Sequence, residues 1–229
     1  MSIGDEQGKR FYINPTSYVV ARSLFIKKLK DMFSTLDSDS HIWTILENRK
    51  VDLEILEILL DILPSKALKI AYLLTPGKEL VFEEKPEWSN EFETVFYDSL
   101  WDFLDEKKPL WEAYNKAAST IGGMISRLYY YLDNQMLVNV DYADFLNIIR
   151  GGNVGILRSL NSINFDWHWG IWERGLITIL AGNDMPLEDV ISILKKFQEV
   201  LKEKDIIWGI MSDNRAKNIE VLALLVRKW

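Results

Sequence analysis

The sequence predicts a mixed α/β protein: an N-terminal part on a parallel sheet, a long central helix, and an α+β C-terminal part. Three observations predict it. Two continuous apolar runs, His41–Leu46 and Ala67–Leu74, flank a helical pattern. That is the sequence form of a parallel βαβ unit, whose strands are buried on both faces. From Pro109 to Val138, apolar residues including Trp111, Ala118, Ile121, Ile125, Leu128 and Leu132 recur at helical spacing. Beyond them, strand-like runs Gly175–Ala181, Asp205–Ser212 and Glu220–Arg227 flank an amphipathic helix over Leu187–Lys202.

Taken in order, Gly8–Ile13 reads as a short extended piece, and Asn14-Pro15-Thr16-Ser17 as a turn opening a helix over Tyr18–Leu36. Asp37–Ser40 is a polar loop before the first buried strand. Glu47–Asp52 connects that strand to a helix over Leu53–Leu63, which Pro64 ends. Thr75-Pro76-Gly77 stops the second strand. Residues 78–91 are charged, contain Pro86 and read as a loop. Phe92–Tyr97 follows as a strand, with Asp98-Ser99 capping a short helix through Phe103. Pro109 suits the start of the long helix. At about 30 residues it would reach about 45 Å and act as a spine. Gly122-Gly123 in its middle predicts the close approach of a neighbouring element. After Asn139–Asp144 come a helix over Phe145–Ile149, the pair Gly151-Gly152 and an apolar stretch to Ile163. Gly182–Pro186 and Asp213–Asn218 read as turns. The expected divisions are 1–108, 109–138 and 139–229, with no internal repeat.

Hydrophobic residues make up 48% of 229, enough for a packed core and unlike a disordered chain. The net charge of -7 disfavours a polyanion, so no nucleic-acid partner is expected. Lysines at 27, 28 and 30 and at 195, 196, 202 and 204 are interleaved with acids and read as solvated helix faces. No apolar run reaches the ~18 to 20 residues that span a bilayer. The first residues, Met1–Glu6, lack the basic-then-apolar pattern of a signal peptide, so a cytoplasmic location is expected. The absence of cysteine excludes disulfides and thiolate metal sites, and His41 and His168 lie far apart. Neither a metal nor a His-dependent triad is expected. Of nine tryptophans, three crowd into Trp167, Trp169 and Trp172. Alternation puts Trp167 and Trp169 on one face of an extended segment. That face is either core packing or an exposed anchor for another protein.

The candidate site is Asn139-Val140-Asp141-Tyr142-Ala143-Asp144. The N-x-D-x-x-D spacing gathers three hydrogen-bonding side chains on one turn. Two carboxylates that close bind a cation or orient a water, or they cap a helix and solvate a turn.

These residues, the Gly-Gly after them, the block Gly175–Val190 and the block Ile206–Asp213 resemble the C-terminal half of the tubulin/FtsZ superfamily over residues 110–229. Three separated signatures occur in the family's order. The resemblance implies that Asn139, Asp141 and Asp144 act in trans: they press on the nucleotide of the next subunit in a filament and help position the attacking water. It also implies a Gly-rich phosphate loop between the first buried strand and its helix. Here that stretch is Glu47-Asn48-Arg49-Lys50-Val51-Asp52, with no glycine. The family's first strand–loop–helix unit is missing, with Gly4–Gly8 at most a remnant. The guanine-reading asparagine is replaced by Ala118, and Asn115 lies one turn away. The expectation is a shortened, degenerate relative with a truncated GTPase-like N-terminal part. It would be a cytoskeletal or cell-division-related protein with no cofactor and no GTPase activity of its own, assembling with itself or with a nucleotide-bearing FtsZ/tubulin-like homologue. Two alternatives stand beside it: a GTPase with a non-standard phosphate site at Arg49 and Lys50, and a plain interaction scaffold. Because Trp229 closely follows the last predicted strand, no tail for a membrane adaptor is expected, hence no direct membrane contact.

Overall fold

The apolar runs do become strands, and all of them in the first half pair in parallel. The computed structural model describes residues 10–13, 29–36, 40–47, 50–75, 77, 84–103, 107, 109–160, 171–214 and 216–229. The chain falls into two compact units, residues 1–119 with Trp229, and residues 120–228.

In the first unit, β1 (Arg10–Ile13), β2 (His41–Glu47), β3 (Leu68–Thr75) and β4 (Thr94–Ser99) lie side by side in that order. Helix α1 (Lys50–Leu60) makes the crossover from β2 to β3. Alternation divides the side chains between two buried faces. Ile42 packs with Leu59, Leu63, Ala67, Leu29 and Phe33 on one. On the other, Trp43 stacks on Phe96 with centroids 5.5 Å apart, and Tyr72 lies against the same ring at 6.4 Å. Every residue of β2 and β4 is buried, which explains why their sequences show no polar alternation.

In the first unit, two elements are displaced by two or more residues. Helix α1 begins at Lys50 and ends at Leu60, where Leu53–Leu63 was expected. Asp52 lies in its first turn, where a carboxylate suits the helix dipole, and residues Asp61–Leu63 close it with turn hydrogen bonds to Glu57 and Leu59. Strand β4 begins at Thr94 rather than Phe92, because Phe92 closes a 3₁₀ turn over Glu87–Glu91 by donating its N–H to Ser89 O. Ser99 does cap the short turn Leu100–Phe103, accepting from Trp101 N–H at 3.2 Å. Of the helix expected over Tyr18–Leu36, only residues 29–36 are described, and 29–33 are helical.

Helix α2 covers Leu110–Asp133, shorter than the expected 109–138. Asn134 ends it by donating its side-chain amide to Tyr130 O at 2.7 Å. The close approach expected at Gly122-Gly123 does not occur: among the described residues, nothing comes within 4 Å of a Cβ built at either.

In the second unit, Ile121, Met124, Ile125, Leu128, Tyr129 and Leu132 form the buried stripe of α2. Helix α3 (Tyr142–Ile149) packs Phe145 edge-on to Tyr129 at 5.9 Å. Strands β5 (Asn153–Leu160), β8 (Glu220–Lys228), β6 (Arg174–Ala181) and β7 (Asp205–Ser212) lie in that order. The β5–β8 and β8–β6 pairs are antiparallel and β6–β7 is parallel, with α4 (Leu187–Val200) as crossover. Gly151 and Gly152, at φ 108° and 71°, make the left-handed turn from α3 into β5. Fully buried Asn153 then caps α3, donating to the carbonyls of Ile148, Ile149 and Arg150 and accepting from Arg174 at 2.9 Å.

Candidate functional site

The segment from Asn134 to Asp144 joins α2 to α3, and its hydrogen bonds are local apart from a bridge to Ile210 of β7. Met136 N–H donates to Asn139 Oδ1 at 2.7 Å, which closes a tight loop. Leu137 and Val138 then run antiparallel to β7 at one residue. Both donate to Ile210 O, at 2.8 and 3.2 Å, and Ile210 N–H donates to Val138 O at 3.1 Å. Gly209 lets the loop sit this close, since a Cβ there would lie 2.8 Å from both Met136 Cε and Val140 Cγ2. Val140 is buried beneath the loop, while Leu137 and Val138 are 75% and 45% exposed.

Asp141 and Asp144 are brought together as a reciprocal pair. Asp141 is the N-cap of α3: its Oδ1 accepts from Asp144 N–H at 2.9 Å, and Asp144 Oδ2 accepts from Asp141 N–H at 3.1 Å. Tyr142 ties the turn back to α2 by donating its hydroxyl to Asp133 Oδ1 at 2.6 Å. The pair therefore has a structural task, and it starts α3 at Tyr142 rather than at the expected Phe145. Each carboxylate keeps one oxygen, Asp141 Oδ2 and Asp144 Oδ1, with no hydrogen bond among the described residues. Asp141 is exposed and Asp144 half-buried. Asn139 is turned toward Met136 and makes no hydrogen bond to either acid. Among the described residues there is no group of three or more His, Asp or Glu able to hold a metal. What the turn offers is a mutually capped pair of acids, one exposed and one half-buried, beside two exposed aliphatic side chains, Leu137 and Val138.

The other candidate region is the carboxyl edge of the first unit's sheet, where doubly wound folds place ligands. Glu47 ends β2 and is 5% exposed, and Asp52 in the first turn of α1 is fully buried. Asp98 near the end of β4 is also fully buried; it accepts from Tyr72 Oη at 2.7 Å and from Ser99 N–H at 2.8 Å. Strand register aligns Glu47, Leu74 and Asp98 across β2, β3 and β4. The sequence placed Glu47 and Asp52 in a connecting loop and Asp98 in a helix cap, where an acid closing an apolar strand was the signal for its burial. Arg49 and the side chain of Lys50 lie outside the described residues. On α2, Asn115 is exposed and Ala118 half-buried.

No family model matches the chain. In an alignment of 157 positions that covers 61% of the chain, it is 25% identical to cell division protein FtsZ 2 of Pyrococcus furiosus, and the match spans 38% of that protein. An empty FtsZ dimer from M. jannaschii superposes with a TM-score of 0.61 at 19% identity, over 88% of this chain and 66% of that one. The fold is that of the tubulin/FtsZ superfamily. CetZ2 from Haloferax volcanii, in a GTPγS-bound protofilament, gives a TM-score of 0.60 at 11% identity over 90% of this chain and 70% of its own. TubZ of Bacillus thuringiensis serovar israelensis, in GDP-form protofilaments, gives 0.58 at 10% identity over 88% and 67%. The chain thus covers little more than a third of the curated FtsZ.

Within this tubulin/FtsZ-like fold, the tryptophan question is answered at one position. Trp172 is buried, 3% exposed, so it is a core residue. Trp167 and Trp169 lie outside the described residues. Among the described residues, no helix is long and apolar enough to cross a membrane.

Proposed function

We propose that this protein is an FtsZ/tubulin-like cytoskeletal or cell-division-related component without GTPase activity of its own. It acts by assembling with itself or with a nucleotide-bearing homologue. In that reading α2 is the family's central helix, and the surface at Asp141 and Asp144 meets the nucleotide end of a neighbouring subunit. The observation that carries it is the turn at 139–144: a reciprocal helix cap that uses one oxygen of each carboxylate and leaves the other without a hydrogen bond among the described residues. Asn139 supports that surface by fixing the loop rather than by reaching out.

The sheet edge where the structural neighbours' fold would receive phosphates supports the loss of a nucleotide site. Glu47 and Asp52 bury their carboxyl groups on either side of the β2–α1 connection, and the stretch between them holds no glycine. A triphosphate there would lack the glycines that bare backbone N–H groups to phosphates. No catalytic step is assigned to this edge.

Two measurements test the proposal. Isothermal titration with GTP, GDP and ATP plus Mg²⁺ should give no binding heat. Co-pelleting with an assembling FtsZ-like homologue should bring the protein down with the polymer, and Asp141→Asn/Asp144→Asn should release it. Nucleotide binding, or co-pelleting that ignores the double substitution, would reject the reading.

A further inference from the structure

We propose that the cavity between α4 and the paired ends of β5 and β8 binds a short zwitterionic peptide of apolar residues, about three long by the extended-chain rise. The cavity lies within the second unit and shares no residue with the acidic turn.

The cavity holds about 510 Å³, within the roughly 300–1,000 Å³ of small-molecule sites. Its floor is aliphatic. Leu160, at the end of β5, pairs in register with Val221 of β8, so both side chains stand on one face of the sheet. Helix α4 buries Val190 and Phe197, the latter edge-on to Trp208 of β7 at 6.0 Å. A different stripe of α4 lines the cavity: Asp189, Ile193 and Lys196, at i, i+4 and i+7. Asn218 and Ile219 before β8, and Met185 from the turn before α4, complete the walls.

The charges stand at the two ends of that stripe. Seven residues of helix set Asp189 and Lys196 about 10 Å apart along the axis, with half-buried Ile193 between them. Both charged side chains are exposed. Neither has a hydrogen bond or ion pair among the described residues, and nor has the side-chain amide of Asn218. Glu220, the remaining charge on the wall, is already held by Arg127 at 2.6 Å.

An acid, an apolar strip and a base in line complement a molecule of the order ammonium, apolar body, carboxylate. An extended peptide rises about 3.3 Å per residue, so three residues carry their terminal charges across that span. The amine then meets Asp189, the carboxylate meets Lys196, and the side chains lie on Leu160, Ile193 and Val221. The Asn218 amide both donates and accepts, which suits a peptide group and has no use on a bare hydrocarbon chain.

The test is a methyl NMR titration with trileucine, its C-terminal amide and its N-acetyl form. Trileucine should give saturable shifts at Leu160, Ile193 and Val221. Lys196→Gln should weaken trileucine by about two- to fivefold, the range of an exposed ion pair, and leave the C-terminal amide unchanged. Asp189→Asn should weaken trileucine by a similar factor and leave the N-acetyl form unchanged. Lys195→Gln removes the same charge as Lys196→Gln from a neighbouring position outside the stripe, and should change nothing. All three substitutions fall at exposed positions, and circular dichroism confirms that each variant is folded. Shifts that do not saturate at those methyls overturn the proposal. So does capped peptide that binds as tightly as free peptide, or Lys196→Gln that weakens the amide as much as trileucine or matches Lys195→Gln. None of these results bears on the Asp141/Asp144 surface.

Discussion

Replacing Asp141 with alanine separates the two tasks of the acidic turn. The substitution removes the oxygen that accepts from Asp144 N–H at 2.9 Å and frees Asp144 from its return bond at 3.1 Å. Loss of an aspartate N-cap costs about 1 kcal/mol. The return bond adds only a fraction, since Asp141 is exposed and its N–H can turn to water. A loss of about 1 kcal/mol lowers Tm by about 2–4 °C if the whole chain melts together, and by about 4–8 °C if residues 120–228 melt alone. Asparagine caps helices nearly as well as aspartate, so Asp141→Asn should keep most of that stability while removing the charge. The assay is differential scanning calorimetry of the wild type and both variants in one buffer. The reasoning is refuted if the alanine variant melts with the wild type, or if asparagine and alanine lower Tm equally.

Three further outcomes follow from packing. A Cβ at Gly175 would fall against Leu225 Cδ2 and lie 2.6 Å from the Leu224 carbonyl oxygen. Because backbone cannot step aside cheaply, Gly175→Ala should cost about 1–3 kcal/mol, read from the urea midpoint. Tyr131 is fully buried with a hydroxyl that has no hydrogen-bond partner among the described residues, and burial pushes its phenol far above the ordinary tyrosine range. Tyr131→Phe should therefore stabilise the protein by about 1 kcal/mol, equally at every pH where ordinary tyrosines stay protonated, and chemical denaturation at two pH values checks it. Gly209→Val would drive its side chain into Met136 and stiff Val140, so hydrogen exchange at Val138 and Ile210 should quicken while the global unfolding midpoint moves less.

What the sequence made legible was whatever local chemistry decides. His41–Glu47 and Leu68–Thr75 are apolar throughout because both faces are covered, and continuous apolar runs announce that. β6, β7 and β8 came within a residue of their expected limits. β5 went unassigned because Gly155, Arg158 and Ser159 break its apolar pattern, and its pairing with β8 joins residues some seventy positions apart. The parallel β6–β7 pair was equally out of reach, since register between distant segments leaves no local trace. At the site, residue types predicted a cap or a carboxylate pair, and the structure makes the two one object. The D-x-x-D spacing from Asp141 to Asp144 already fits a reciprocal cap. Burial of Glu47, Asp52 and Asp98 was not legible, because acids flanking strands are ordinarily solvated. The excess length expected for α2 came from carrying an apolar period through Met136 and Val138, which serve the loop instead.

The most direct test of the trans-acting turn is the GTP hydrolysis rate of an assembling FtsZ-like homologue, measured with increasing amounts of this protein. The account predicts a dose-dependent change with the wild type and none with Asp141→Asn/Asp144→Asn, both proteins being folded. Equal effects from the two, or no effect from either, would contradict it.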